Sequence, residues 1–137
     1  MKANELRIGN YVNDRFDAEV TVCDITHGGI NLNYGYSTIS IDDLQPIPLT
    51  EDWLLKFGFI KVTYTVSLSD GGMPYHYEIE GQGNHWRLYF DGRFFAFNER
   101  KLNLHLSHNR YVHQLQNLYF ALVGEELKLK EDESKTE

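Results

Sequence analysis

The sequence predicts an α+β fold, and three features of the 137-residue chain predict it. Short apolar–polar alternations, broken every few residues by Gly, Asn or Asp, fill residues 1–48. Longer alternations separated by turn residues run through residues 60–106, with the period of half-buried strands. A helical apolar period then occupies residues 109–123. The expected architecture is a small β-barrel at 1–48, then a helix, an antiparallel β-meander and one C-terminal packing helix at 49–124. An acidic tail at 125–137 is expected to be disordered.

In the first unit, residues 6–8 precede Gly9-Asn10, and Val20 and Val22 alternate with Thr21 and Cys23. His27-Gly28-Gly29 is a turn, followed by Ile30 and Leu32, then by Tyr34-Gly35-Tyr36, then by Ile39 and Ile41. Strands this short and closely spaced must bend tightly, and their order is similar to that of an SH3-like barrel. Such a likeness carries fold and not function. Pro46 and Pro48 then hold the chain extended.

A short helix is expected over 50–57. Thr50 is its N-cap, Glu51 and Asp52 suit the helix dipole, and Leu49 and Leu54 sit at staple positions. Gly58 stands where a left-handed C′ residue ends a helix, with Leu54 and Phe59 placed for the accompanying contact. Trp53 and Phe57 are expected to bridge this helix to the barrel.

In the meander, Ile60, Val62, Tyr64, Val66 and Leu68 alternate with polar residues, as do Tyr75, Tyr77 and Ile79, and Trp86, Leu88 and Phe90. Phe95 and Phe97 continue the pattern, and Leu102, Leu104 and Leu106 suggest a fifth strand. The turns set the expected register. Glu80 opposes His85, Glu78 opposes Arg87 and His76 opposes Tyr89. Asp91-Gly92 reads as a two-residue turn, which sets Phe90 against Arg93, Leu88 against Phe95 and Trp86 against Phe97. Leu68 against Tyr75 sets Val66 against Tyr77 and Tyr64 against Ile79. One sheet face is then apolar throughout. Tyr111, Val112, Leu115, Leu118, Tyr119, Leu122 and Val123 form the helix arc expected to cover it, with Leu118 and Leu122 buried against Trp86, Leu88, Phe95 and Phe97, and Gly124 as the stop.

Composition narrows the function. Apolar residues make up 42% and aromatics 14%, enough for a real core. No apolar run approaches the roughly 18 residues of a membrane span, and residues 1–9 carry Lys2, Glu5 and Arg7 in place of a signal-peptide apolar region. The single Cys23 excludes an internal disulfide and a cysteine-based zinc site. A cytoplasmic location is the expectation. The net charge of −7 divides into −4 over 1–48, zero over 49–124 and −3 over 125–137. No segment is basic, so phosphate-based recognition of nucleic acid, or of an anionic membrane, is disfavoured.

Candidate sites are few. The polar sheet face gathers His76, Glu78, Glu80, His85, Arg87 and Tyr89, a ligand face or a solvated ladder of cross-strand ion pairs. His113, Gln116 and Phe120 fall together on the polar side of the last helix, an aromatic flanked by polar groups as in a partner-binding patch. Phe16 with Tyr11, Tyr34 and Tyr36 forms either a peptide-binding aromatic groove or part of the barrel core. His105, His108 and His113 do not follow a zinc-binding spacing. Asp70-Gly71-Gly72 and Gly81-Gln82-Gly83 are hairpin turns and not phosphate loops, and no Gly-x-Ser-x-Gly elbow occurs. No catalytic residue, metal or cofactor is expected.

Residues 5–12 (ELRIGNYV), 46–59 (PIPLTEDWLLKFGF), and 111–122 (YVHQLQNLYFAL) with Gly124-Glu125-Glu126-Leu127 carry a resemblance spanning nearly the whole chain. In these segments the chain resembles an uncharacterised family of small proteins found widely in Bacteroidetes genomes and their phages. The resemblance implies a cytoplasmic protein of phage or mobile-element origin and no assigned activity. The functional expectation is a non-enzymatic protein-interaction module with an unknown protein partner. A nucleic-acid-binding accessory protein acting through the SH3-like unit is the alternative. Within these segments His113, Gln116 and Asn117 stand out, since a solvated helix face has no need of them.

Overall fold

The computed structural model describes residues 1, 3–32, 38–63, 75–92, 95–99 and 109–130. The chain is α+β, with two antiparallel four-stranded sheets and one long C-terminal helix. The first sheet holds β1 (Tyr11–Asn13), β2 (Glu19–Thr26), β3 (Gly29–Leu32) and β4 (Thr38–Ile39) in sequential order. Its register shifts between Val22 and Asp24, so Cys23 falls at an irregularity in β2. A 3-10 helix, Ile41–Asp43, follows β4, and Gln45 then exchanges backbone hydrogen bonds of 2.8 and 2.9 Å with Asn13 on β1. Among the described residues the strands form this open sheet and no closed barrel. Leu6, Val12, Val20, Val22, Ile30, Leu32 and Leu44 are its buried cluster.

The second sheet holds β5 (Ile60–Thr63), β6 (Tyr75–Gly81), β7 (Asn84–Phe90) and β8 (Phe95–Glu99), again in order. Before it comes α1 (Glu51–Lys56), and after it α2 (Val112–Val123). Helix α1 ends as its residues dictate. The Thr50 hydroxyl accepts from the Trp53 N–H, Gly58 takes φ of +96°, and the N–H groups of Gly58 and Phe59 bond to the carbonyls of Leu55 and Leu54. That pairing is a Schellman stop. Its inner side joins Trp53, Leu54 and Phe57 to a second buried cluster with Trp86, Leu88, Phe95, Phe97, Leu115 and Tyr119. Tyr11 of β1 packs on Trp53 and Phe57, at ring separations of 5.6 and 6.1 Å, so α1 bridges to the first sheet.

The sheet departs from the expected register in two places. Between β6 and β7 the pairing is as read, with Glu78 opposite Arg87 and Glu80 opposite His85. Between β7 and β8, Phe90 pairs with Phe95 and Leu88 with Phe97. A shift of two keeps every side chain on its face, and Trp86 still stacks on Phe97 at 5.5 Å. Between β5 and β6 the shift is odd. Ile60 opposes Glu78, Lys61 opposes Tyr77 and Val62 opposes His76, so Ile60 and Val62 lie on the outer face and Ile60 is 68% exposed. The Schellman stop is the cause. It commits Phe59 to the core beside Leu54, and alternation then turns Ile60 outward. The expected pairings of Tyr64, Val66 and Leu68, and the suggested strand at 102–106, lie outside the described residues.

Helix α2 begins at Val112, later than 109, because Asn109 and Tyr111 make isolated β-bridges. Asn109 bridges Phe95 and Tyr111 bridges Pro48, while the Val112 N–H donates to the Ile47 carbonyl. Gly124 ends the helix at φ +85°. Leu118 and Leu122 are half-buried and pack at the edge of the core, a correction to their expected burial. The expected disordered tail is also corrected for its first residues. Leu127 is buried in the second cluster, and the Lys130 N–H caps the Lys56 carbonyl at 2.7 Å. Leu115 is fully buried where α2 meets the sheet. Leu115→Ala should cost about 2–5 kcal/mol in urea denaturation and Leu118→Ala distinctly less, since only the first leaves an enclosed cavity.

Candidate functional site

Two of the three α2 residues expected to meet a partner, His113 and Gln116, are turned inward. Gln116 is 2% exposed. Its Oε1 accepts from the Tyr11 N–H at 2.9 Å, and its Nε2 donates to the Gly9 carbonyl at 3.0 Å. The Asn10 Nδ2 donates to Asn117 Oδ1 at 2.9 Å, and Asn117 Nδ2 donates to the Glu5 carbonyl at 2.7 Å. Residues 5–11 are thus clasped to α2 by side-chain amides reading backbone. This meets the need that a solvated face does not have: Gln116 and Asn117 join the two sheets' units.

His113 is also buried, 1% exposed, one helical turn earlier. Its ring stacks on Tyr111 at 5.9 Å with 15° between planes, and among the described residues neither ring nitrogen has a hydrogen-bond partner. Burial pushes its pKa down from 6.5; the Glu5 carboxylate opposes that shift, and the amino terminus adds to it more weakly. Phe120 remains at the surface, 39% exposed, with the Arg7 guanidinium 3.9 Å over its ring and Arg7 itself paired with Glu126. The expected trio is therefore split, with one exposed member already covered by a cation within the chain.

On the outer sheet face, Glu78 Oε1 lies 2.9 Å from His76 Nε2 and 3.5 Å from Arg87 Nε. The His76 hydrogen bond, more than the charge of Arg87, holds the Glu78 carboxyl below its usual range. His85 Nε2 lies 3.2 Å from Glu80 Oε1, and the Tyr89 ring sits 5.8 Å from that of His76. The structure brings all six residues together as three cross-strand neighbours, Glu78 with Arg87, Glu80 with His85 and His76 with Tyr89, and joins His76 to Glu78 along β6. His76, however, is 2% exposed, so the face is not evenly solvated. Among the described residues no three His, Cys, Asp or Glu side chains are grouped as a metal site.

The first sheet presents a different feature. Residues 14–18 connect β1 to β2 around the buried Asp14. Its Oδ1 accepts from the N–H groups of Phe16 and Ala18 at 2.8 and 3.0 Å, and its backbone N–H donates to the Ala18 carbonyl at 2.9 Å. Asp17 takes the left-handed φ of +61°, which Asp tolerates better than most residues. Phe16 stands at the tip, 75% exposed, with the Arg15 guanidinium 5.0 Å from its ring. Beside it a groove of about 360 Å³ is lined by Asp14, Arg15, Phe16, Thr38, Ile39, Ser40 and Asp43. Tyr11 is not part of it, being packed on α1, and Tyr34 and Tyr36 lie outside the described residues. The Asp-x-Phe-Asp-x spacing was the available signal, an Asx-type turn that leaves its middle residue in water.

No described helix is long and apolar enough to cross a membrane. Comparison of the chain with protein-family models, curated proteins and solved structures found no match.

Gln116→Leu leaves the Tyr11 N–H and the Gly9 carbonyl without that partner, and should cost about 2–4 kcal/mol in urea denaturation, since buried orphaned groups carry their full desolvation penalty. His113 gives a pH signature. Its folded pKa lies below the unfolded value of 6.5, so on acidification the unfolded chain takes up the proton first. Its contribution is intact above 6.5 and declines as pH falls below it. His113→Leu should flatten the stability curve between pH 6.5 and 5, above the range where carboxylates titrate. Urea midpoints across that range check it.

Proposed function

We propose that this chain is a non-enzymatic protein-interaction module and that Phe16 is the centre of its contact surface. The observation that carries the reading is a 75%-exposed phenylalanine held on a turn braced by a buried carboxylate. A folded chain gains nothing by itself from fixing a large apolar side chain in water. A partner gains from it, because an aromatic anchor already in position loses little entropy on binding. The adjoining groove gives the partner a second surface to fill.

The sequential strand order, the 3-10 helix after β4 and the return of Gln45 to β1 support an SH3-like reading of the first unit. The resemblance to proteins of Bacteroidetes genomes and phages supports a role on a mobile element, in the cytoplasm. Nucleic-acid binding through the same unit is the weaker alternative, because residues 1–48 carry a net charge of −4.

Affinity capture from lysate of the source cells tests the reading. Wild type should retain a protein that Phe16→Ser loses, with the melting temperature unchanged to within about 2 °C because Phe16 contributes little to the core. Equal retention by both, or by neither, would overturn it.

A further inference from the structure

The groove beside Phe16 has an apolar floor and an acidic border. Phe16 and Ile39 supply the apolar surface. Residues 14–18 and 38–43 carry Asp14, Asp17, Asp42 and Asp43 against Arg15 alone. Asp14 is buried and spends its carboxylate on the turn, whereas Asp17, Asp42 and Asp43 are exposed. Asp43 lines the groove itself, as does Arg15, while Asp17 and Asp42 adjoin these lining residues in sequence and leave the border with an excess of negative charge. Asp42 and Asp43 stand on the 3-10 helix, where the Ser40 hydroxyl caps the Asp42 N–H at 3.3 Å and fixes the start of that turn. Among the described residues neither carboxylate forms an ion pair. A space of about 360 Å³ takes two or three side chains and not a folded domain.

Resting on the protein-interaction reading, we infer that the occupant is a short cationic segment of a protein partner. It sets an aliphatic or aromatic side chain against Phe16 and Ile39 and a lysine or arginine against Asp43, with the neighbouring Asp42 adding to the attraction. The sign of the border also determines what stays out. Nucleic acid, anionic lipid and acidic peptide all meet repulsion there, and the charge of −4 over residues 1–48 extends that field beyond the groove. Binding of the cationic segment then has two separable parts: apolar contact that does not respond to salt, and charge attraction that does.

Selection from a random dodecapeptide library against the immobilised full chain tests this. The expected result is enrichment of peptides with net positive charge and an aliphatic or aromatic residue. A selected peptide, labelled and titrated in solution, should bind at least about tenfold more weakly to Phe16→Ser. It should also bind several-fold more weakly to the double variant Asp42→Asn, Asp43→Asn, and lose affinity as salt rises. Thermal melting confirms that both variants are folded. Enrichment of neutral or acidic peptides that still need Phe16 would overturn the cationic inference and leave the interaction reading intact. Full binding by the Asp42→Asn, Asp43→Asn variant would do the same. No Phe16-dependent enrichment would overturn both. Sedimentation showing a wild-type dimer that Phe16→Ser converts to monomer would identify a second copy of this chain as the occupant and overturn the inference.

Discussion

The Tyr11 N–H and the Gly9 carbonyl both bond to one side chain, the amide of Gln116. A buried backbone donor or acceptor without a partner is costly, and a side-chain amide with one donor and one acceptor end can serve both only in one orientation. The clasp therefore does more than join. It sets how α2 lies along β1, and hence how the sheet that α2 covers lies relative to the first. Asn10 and Asn117 add a second amide pair one residue along, and Tyr11 continues the seam by packing on Trp53 and Phe57. Polar groups specify the orientation here, and aromatic contact fills the remaining space.

The same seam explains what could and could not be read from sequence. Helix α1 was legible from end to end, because its cap, its staple and its glycine stop are local chemistry. The apolar face of β6, β7 and β8 was legible because a two-residue error in register leaves alternation intact. The face of β5 was not. Its alternation is unambiguous, but which half points inward depends on Phe59, whose direction is fixed by a turn and not by the strand. Gln116 and His113 were placed on the polar side of α2, and both are buried. Polarity predicts exposure only when the neighbouring surface is water, and here the neighbour is the backbone of another sheet. Residues 5–12 and 111–122 are far apart in sequence and meet at the clasp.

Exposure shifts the candidate site from one phenylalanine to another. Phe120 lies beneath Arg7, which is itself tied to Glu126 of the C-terminal segment. A partner would have to displace an arginine already paired, and the contact is better understood as holding residues 5–11 and 126 to α2. Phe16 has a cation nearby at the longer distance of 5.0 Å and keeps most of its surface in water. The sequence favoured Phe120 because its neighbours looked functional. The structure makes those neighbours internal, and the argument for that face goes with them.

Rigidity and exposure come from different residues at the Phe16 turn, and that separation matters for function. Asp14 holds the backbone by accepting from two N–H groups; the Phe16 side chain holds nothing of the core. The tip can therefore change its side chain without changing its shape, and the shape can persist whatever the tip contacts. At the other end of the chain the relation is reversed. His113 and Gln116 are enclosed, and each is tied to the seam through its burial. A proton on His113 would have to be accommodated by loosening α2, because among the described residues neither ring nitrogen has an acceptor to receive it. Acidification thus acts on the seam, while the groove at residues 14–18 is held by a carboxylate that already accepts two backbone hydrogen bonds. One region is built around a group that resists charge, and the other around a carboxylate that braces the turn by accepting backbone hydrogen bonds.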